Sequence, residues 1–309
     1  MKISGFSFCR NAHTLFYPFL ESIKSALPVC DEFVVAVGKG DDTDTTREQI
    51  LALNSEKIVV IDTEWDITTF RGGTEYARQT DIAKSACSGD WLLYLQADEV
   101  LHEDDLPIVK SRCEKYLHDT RVEGMIFNYL HFWGDYDHYH TSHGWYPREI
   151  RMVRNNSDIH SWVDAQSFRR IPNFDGKSYS KLEGAHLLNV VHSNARVFHY
   201  GWVRPPDFMQ RKKRNMETQY HGNSSATEEL FHYGNLDSIP VYIGTHPAVM
   251  DKRIANIDWL DTIYTMQHHA PTRAPFKHEK PLYKIVSWIE QKVLGGRHVG
   301  AYKNYKLIK

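Results

Sequence analysis

The chain has 309 residues, 41% of them hydrophobic and 25% charged, with 37 Lys and Arg against 39 Asp and Glu. That length allows one large α/β domain or two modest ones, and the near-neutral balance supplies no global field of the kind that selects nucleic acid. No run of about 18 apolar residues occurs, nor a basic start followed by an apolar leader, so the expected location is cytoplasmic.

Lys2 to Phe8 reads as a first strand, closed by the polar Cys9-Arg10-Asn11, and Leu15, Phe16, Phe19, Leu20, Ile23 and Leu27 then recur at helical spacing up to Pro28. Glu32 to Val37 is a second, buried strand. It runs into Gly38-Lys39-Gly40-Asp41-Asp42-Thr43-Asp44-Thr45-Thr46, where glycines permit close backbone approach and Asp and Thr can cap a helix starting near Arg47. That loop lacks the Walker pattern. Lys57 to Ile61 gives a third strand, and a loop from Trp65 to Gly73 leads to a helix from Thr74 to about Ser85. Strands alternating with helices call for a mainly parallel, layered sheet. Cys9, Cys30, Cys87 and Cys113 are widely separated, which favours reduced, buried thiols over a disulfide framework.

Trp91 to Gln96 is apolar at five of six positions and ends in Ala97-Asp98-Glu99, so a strand covered on both faces delivers two carboxylates to the carboxyl edge of the sheet. Carboxylates at that edge suit Mg²⁺ or Mn²⁺ and a phosphate-bearing substrate. The alternative is a solvated acidic turn opening a helix, since His102-Glu103-Asp104-Asp105 continue the acidity.

Farther on, Gly124 to His131 is an apolar strand followed by a region crowded with Trp133, Tyr136, Tyr139, His140, His143, Trp145 and Tyr146. Such rings either stack on a sugar or pack a loop onto the sheet. Glu149 to Arg154 alternates charge and bulk as a half-buried strand does, and a turn then precedes His160-Ser161-Trp162-Val163-Asp164. A short strand reaches His199, and Gly201 and Pro205-Pro206 break the chain before a basic helix from Asp207 to about Gln219. From Lys277 to Lys309 there are eight Lys or Arg, with Leu282, Ile285, Val286, Ile289, Val293 and Leu294 at helical spacing. That helix either rests on an anionic membrane or docks on its own domain.

Taken together, Gly40 to Thr46, Ala77-Arg78-Gln79, Gly89-Asp90-Trp91 and Gln96-Ala97-Asp98-Glu99 stand in an order that resembles the family 2 glycosyltransferases of the GT-A fold. The resemblance covers residues 1–105 well and thins towards 216. It implies a transferase domain over 1–220, with a nucleotide half (1–105) and an acceptor half (106–220), then an extension over 221–309. It further implies a UDP-favouring nucleotide diphosphate sugar as donor, a sugar or lipid-linked sugar as acceptor, and a role in cell-surface polysaccharide or glycoconjugate synthesis. Cys9, Arg10, Asn11, Gly38, Asp44, Arg78, Gln96, Ala97 and Arg204 would then surround the nucleotide. Asp98, Glu99 and His199 would hold the cation.

Inverting transfer needs a group within about 3 Å of the acceptor hydroxyl to take its proton, and Asp164 is expected there, with Glu149 and His160 behind it. Two departures stand out: Gly38 replaces an aspartate that reads the base, and Gln96 replaces the first aspartate of Asp-x-Asp. They keep open a non-catalytic nucleotide- or carbohydrate-binding protein, beside a sugar nucleotidyltransferase. A zinc hydrolase built from the late histidines lacks its His-Glu-x-x-His pattern.

Overall fold

The computed structural model describes residues 1–222, 229–300 and 303–308. Its first half is β1 (Ile3–Cys9), α1 (Phe19–Ala26), β2 (Glu32–Gly38), α2 (Thr46–Leu51), β3 (Ile58–Thr63), α3 (Thr74–Ser85) and β4 (Trp91–Tyr94). Period-two alternation sorts these strands' side chains between two cores. Phe33, Val35, Trp91 and Leu93 face one layer, and Val34, Ala36, Leu92 and Tyr94 face the other. Each buried Val, Leu or Phe among them contributes about 1.5–3 kcal/mol by leaving water.

Next come β5 (Glu99–Leu101), α4 (Leu106–Tyr116), β6 (Gly124–Trp133), β7 (Tyr139–His140), β8 (Arg148–Arg154), β9 (Ile159–Trp162), β10 (Ser167–Arg170), β11 (His186–Trp202) and α5 (Pro206–His221). The sheet order is β3-β2-β1-β4-β8-β6-β11-β10-β9. β1 to β4 are mutually parallel, β8 runs antiparallel between β4 and β6, and β11 resumes the parallel direction beside β6. The fold is therefore the expected α/β, GT-A-like layered sheet.

Two elements differ from the sequence reading. The first helix starts only at Phe19, because residues 11–17 form tight turns in which Asn11 and Phe16 have positive φ. The strand reaching His199 is 17 residues long, with two breaks in its register against β6. A long alternation interrupted by bulges hides its period.

The C-terminal part carries α6 (Asp251–Ala255), α7 (Leu260–Met266), α8 (Pro281–Lys292) and β12 (Tyr305–Leu307), which returns to pair with β11. Phe231, Tyr233, Leu236, Met250 and Trp259 share one core with Phe132, Trp133, Phe198 and Tyr200 from the ends of β6 and β11. Lys309, the end of the basic tail, lies outside the described residues, as do 301 and 302. All four cysteines are buried and free.

Candidate active site

At the carboxyl ends of β1 and β4 opens a cleft of about 270 Å³, walled by Cys9, Arg10, Gln96, Ala97 and Asp98 on the sheet side and by Lys212 and Tyr220 of α5 opposite. The geometry at Asp98 follows from strand pairing. β5 runs antiparallel to the end of β11 with Glu99 opposite His199, and Tyr200 donates its N–H to the Asp98 carbonyl at 2.8 Å. Asp98, one residue before β5, is thereby placed beside His199 and Gly201.

Asp98 is buried; its Oδ2 lies 3.2 Å from Lys212 Nζ and its Oδ1 lies 3.9 Å from His199 Nε2. Lys212 also donates to the Gly201 carbonyl at 2.7 Å. Burial opposes the charged carboxylate, but the Lys212 ammonium, then His199 and Arg204, outweigh it and hold Asp98 down at about 2. Burial, helped by the Arg204 charge and resisted by Asp98, lowers Lys212 to about 8. The two groups are ionised together at neutral pH.

The proton arrangement of His199 follows from its neighbours. Parallel register sets His131 of β6 beside His199, and His131 Nε2 faces the Tyr146 carbonyl at 2.8 Å, so that nitrogen carries the hydrogen. Burial lowers His131 to about 3, leaving its Nδ1 bare to accept from His199 Nδ1 at 3.0 Å. His199 then presents an Nε2 lone pair to Asp98, and burial keeps it neutral, at about 4. A side chain at Gly201 would fill this space, since its Cβ would come within 2.5 Å of His199 Nε2 and 2.7 Å of Asp98 Oδ2. A carboxylate oxygen and a bare imidazole nitrogen across a gap kept open by glycine fit a divalent cation that also takes ligands from a bound phosphate.

Beside this cleft lies a second one of about 1300 Å³, which takes in His143, Arg148, Glu149, Asn304 and Tyr305. Trp145, Tyr146, Asp164 and Gln166 belong to both. Asp164 sits on that shared rim between two residues with left-handed backbone, Val163 at φ 54° and Ala165 at φ 62°. For a β-branched residue such a φ costs about 1–3 kcal/mol, a cost that concentrates at functional sites. Tyr220 donates to Asp164 Oδ2 at 2.8 Å, and Gln96 Nε2 donates to the Ala165 carbonyl at 3.2 Å. A carboxylate could not make that last bond, so the departure at Gln96 serves to position the rim.

Several expected residues do other work. Glu99 is no cation ligand. It lines neither cleft, and Arg151 grips it at 2.7 and 2.8 Å while Tyr129 donates at 2.7 Å. Arg78 pairs with Glu75 at 2.7 Å and lies over Phe70, away from the cleft. Arg204 is fully buried behind Tyr17, donating to the Leu15 carbonyl; it reaches Asp98 only by its charge. The amide of Asn11 is spent on Asp41, and Asp44 accepts from Thr46, so both shape the 38–46 loop rather than line the cleft. Gly38 leaves room for the Trp65 indole, which a Cβ there would strike at 2.2 Å.

Of the two reserve bases, His160 is bound to Asp81 at 2.8 Å and lines neither cleft. Glu149 lies in the second cleft only, buried against Ser167 at 2.8 Å, with burial raising its carboxyl.

The sequence reading passed over Trp65, Tyr76, Gln166 and Tyr220, and it left Lys212, with Arg211, Lys213 and Arg214, between a solvated helix face and a charge that offsets a departing diphosphate. Trp65 packs against Tyr76 at 5.4 Å, Arg10 lies over it at 5.4 Å, and its Nε1 has no hydrogen-bond partner among the described residues. Within the basic run, Arg211 and Lys213 pair with Asp207 and Glu217 one turn away, as a solvated face does, and Lys212 turns inward. Only the helical period marked it.

No protein-family model matches the chain, and no curated protein sequence matches it. Solved structures are similar to part of the chain. One is S. aureus TarS, at 13% identity and TM-score 0.37, covering 74% of this chain and 41% of that one. Another is glucosyl-3-phosphoglycerate synthase from Mycobacterium tuberculosis with Mn²⁺, uridine-diphosphate and phosphoglyceric acid, at 17%, TM-score 0.29, 42% of this chain and 43% of that one. A third is the mannosyltransferase PcManGT from Pyrobaculum calidifontis with GDP-Man and Mn²⁺, at 17%, TM-score 0.30, 42% and 36%. The chain thus spans less than half the length of these three proteins.

Proposed function

We propose that this protein is an inverting glycosyltransferase that moves a sugar from a nucleotide diphosphate sugar, with UDP preferred, to an acceptor hydroxyl. The observation that carries the reading is the rim. Asp164 stands between a smaller cleft carrying a carboxylate, a bare imidazole nitrogen and an ammonium, and a larger one lined with polar and aromatic groups. The donor would lie in the first with its base near Trp65 and Tyr76, and the acceptor would enter from the second.

In this reading the acceptor oxygen attacks the anomeric carbon, the bond from that carbon to the diphosphate breaks, and the hydroxyl proton passes to Asp164. Tyr220 keeps the carboxylate aimed. Lys212 offsets charge developing on the departing diphosphate. Asp98 Oδ1 and His199 Nε2 would hold Mn²⁺ or Mg²⁺, which supplies Lewis-acid charge at the same place when bound.

The acceptor side extends to α8. Ser287, Glu290 and Gln291 tie that helix inward, to the 141–143 loop. Leu282, Ile285, Trp288 and Val293 are 69%, 59%, 60% and 65% exposed on its outer side. An outward apolar stripe with Trp, flanked by Lys280, Lys284 and Lys292, suits an anionic membrane surface bearing a lipid-linked acceptor. We therefore place the enzyme at the cytoplasmic face of a membrane, in polysaccharide or glycoconjugate synthesis. Among the described residues no helix is long and apolar enough to cross one.

Calorimetry with UDP and Mn²⁺, followed by donor hydrolysis across UDP-sugars, tests the reading. Asp98→Ala should abolish turnover with the fold intact, and undiminished turnover would overturn it. Binding without turnover in the wild type would identify a nucleotide-sugar-binding protein instead. Sedimentation with vesicles should show binding to anionic lipid that Trp288→Ser weakens.

A further inference from the structure

Away from the nucleotide cleft, α8 buries a carboxylate between two histidines. Glu290 is 1% exposed, and its Oε1 takes hydrogen bonds from His143 Nδ1 and the Val299 N–H, both at 2.7 Å. Its Oε2 has no hydrogen-bond partner among the described residues, and neither does His298 Nδ1, which stands 3.9 Å away. A desolvated carboxylate oxygen and a ring nitrogen 3.9 Å apart, neither with a hydrogen-bond partner among the described residues, are costly unless something satisfies both.

We propose that His143, Glu290 and His298 form a transition-metal site that takes zinc. One donor atom from each residue lies within 4.8 Å of the others. Zinc bonds of about 2.0–2.2 Å require the three to draw in by about an ångström. His143, at the open edge of the second cleft, has room for that movement. Two imidazoles and one carboxylate form a zinc donor set that leaves the fourth position to water, whereas Mg²⁺ and Ca²⁺ favour all-oxygen shells.

Such a site would join three pieces of chain: the loop after β7, α8 and the turn beyond it. The first piece carries Trp145 and Tyr146, which line both clefts. Zinc would then fix the rim and hold the polar side of α8 inward. None of this rests on the transferase reading.

The test uses the full chain, stripped with EDTA and titrated with Zn²⁺ against a chromogenic chelator. One equivalent should bind tightly and raise the melting temperature. Glu290→Gln, which keeps the size and the Val299 bond, and His298→Ala should each weaken binding tenfold or more. Asp98→Asn should leave this zinc site unchanged, which separates it from the cleft. Co²⁺ should give the intense visible bands of a tetrahedral site in the wild type and lose them in both variants. The absence of a tight equivalent, equal affinity in well-folded Glu290→Gln and His298→Ala, or loss of the zinc site in Asp98→Asn would each overturn the proposal.

Discussion

Asp98 and Glu99 are adjacent carboxylates, each buried and each paired with a cation, yet they belong to different regions with different uses. Glu99 meets Arg151 through both oxygens at 2.7 and 2.8 Å and takes the Tyr129 hydroxyl as well, so nothing is left over. Asp98 meets Lys212 through one oxygen at 3.2 Å, and its other oxygen looks across 3.9 Å at a bare nitrogen. A closed ion pair holds strands together; an open one has capacity for a ligand. Charge and burial are alike in the two, and the unspent atoms make the difference.

Breaking the closed pair should have the largest effect. Glu99→Gln leaves the Arg151 guanidinium charged and half-partnered in the core, which should cost about 3–5 kcal/mol in urea unfolding. Nucleotide affinity of the molecules that remain folded should barely change. A variant that kept its stability and lost nucleotide binding would erase the distinction between the two pairs.

On the rim the expected effect is kinetic. Asp164→Asn should lower kcat about 10²–10⁴-fold, the range for a lost general base, with little change in KM for the donor. An equal loss of donor affinity would mean that Asp164 belongs to the nucleotide cleft alone.

The smallest effect is a pH dependence. Lys212 sits at about 8 against an ordinary 10.5, so its charge is present below about pH 8 and lost above it. Diphosphate binding should therefore weaken on passing through pH 8. The same group has the opposite sign in stability: between about 8 and 10.5 the unfolded chain holds a proton that the folded one has released, so its contribution to stability rises with pH. Lys212→Arg should carry binding to higher pH, as seen by calorimetry between pH 7 and 9.5. Asp98, at about 2, stays ionised over that range.

Local rules reach far in the first hundred residues. The helix expected from Thr74 to about Ser85 is Thr74–Ser85, and the apolar run at Trp91 is a central strand, because these elements are short and their apolar periods unbroken. The Asp98-Glu99 pair at a sheet edge was legible for the same reason. Which of the two faces the cleft was not, since that depends on how β5 pairs with β11, about a hundred residues away.

Sequence alone determined the α/β class, the parallel first half and the acidic strand end, all products of apolar period and turn chemistry acting over a few residues. Tertiary structure alone decided that Lys212 turns inward, that Arg78 and Arg204 do not line the cleft, that Asp164 stands on a strained rim, and that α8 faces outward with its apolar side. These outcomes depend on strand register and on partners dozens to hundreds of residues apart, which no local pattern encodes.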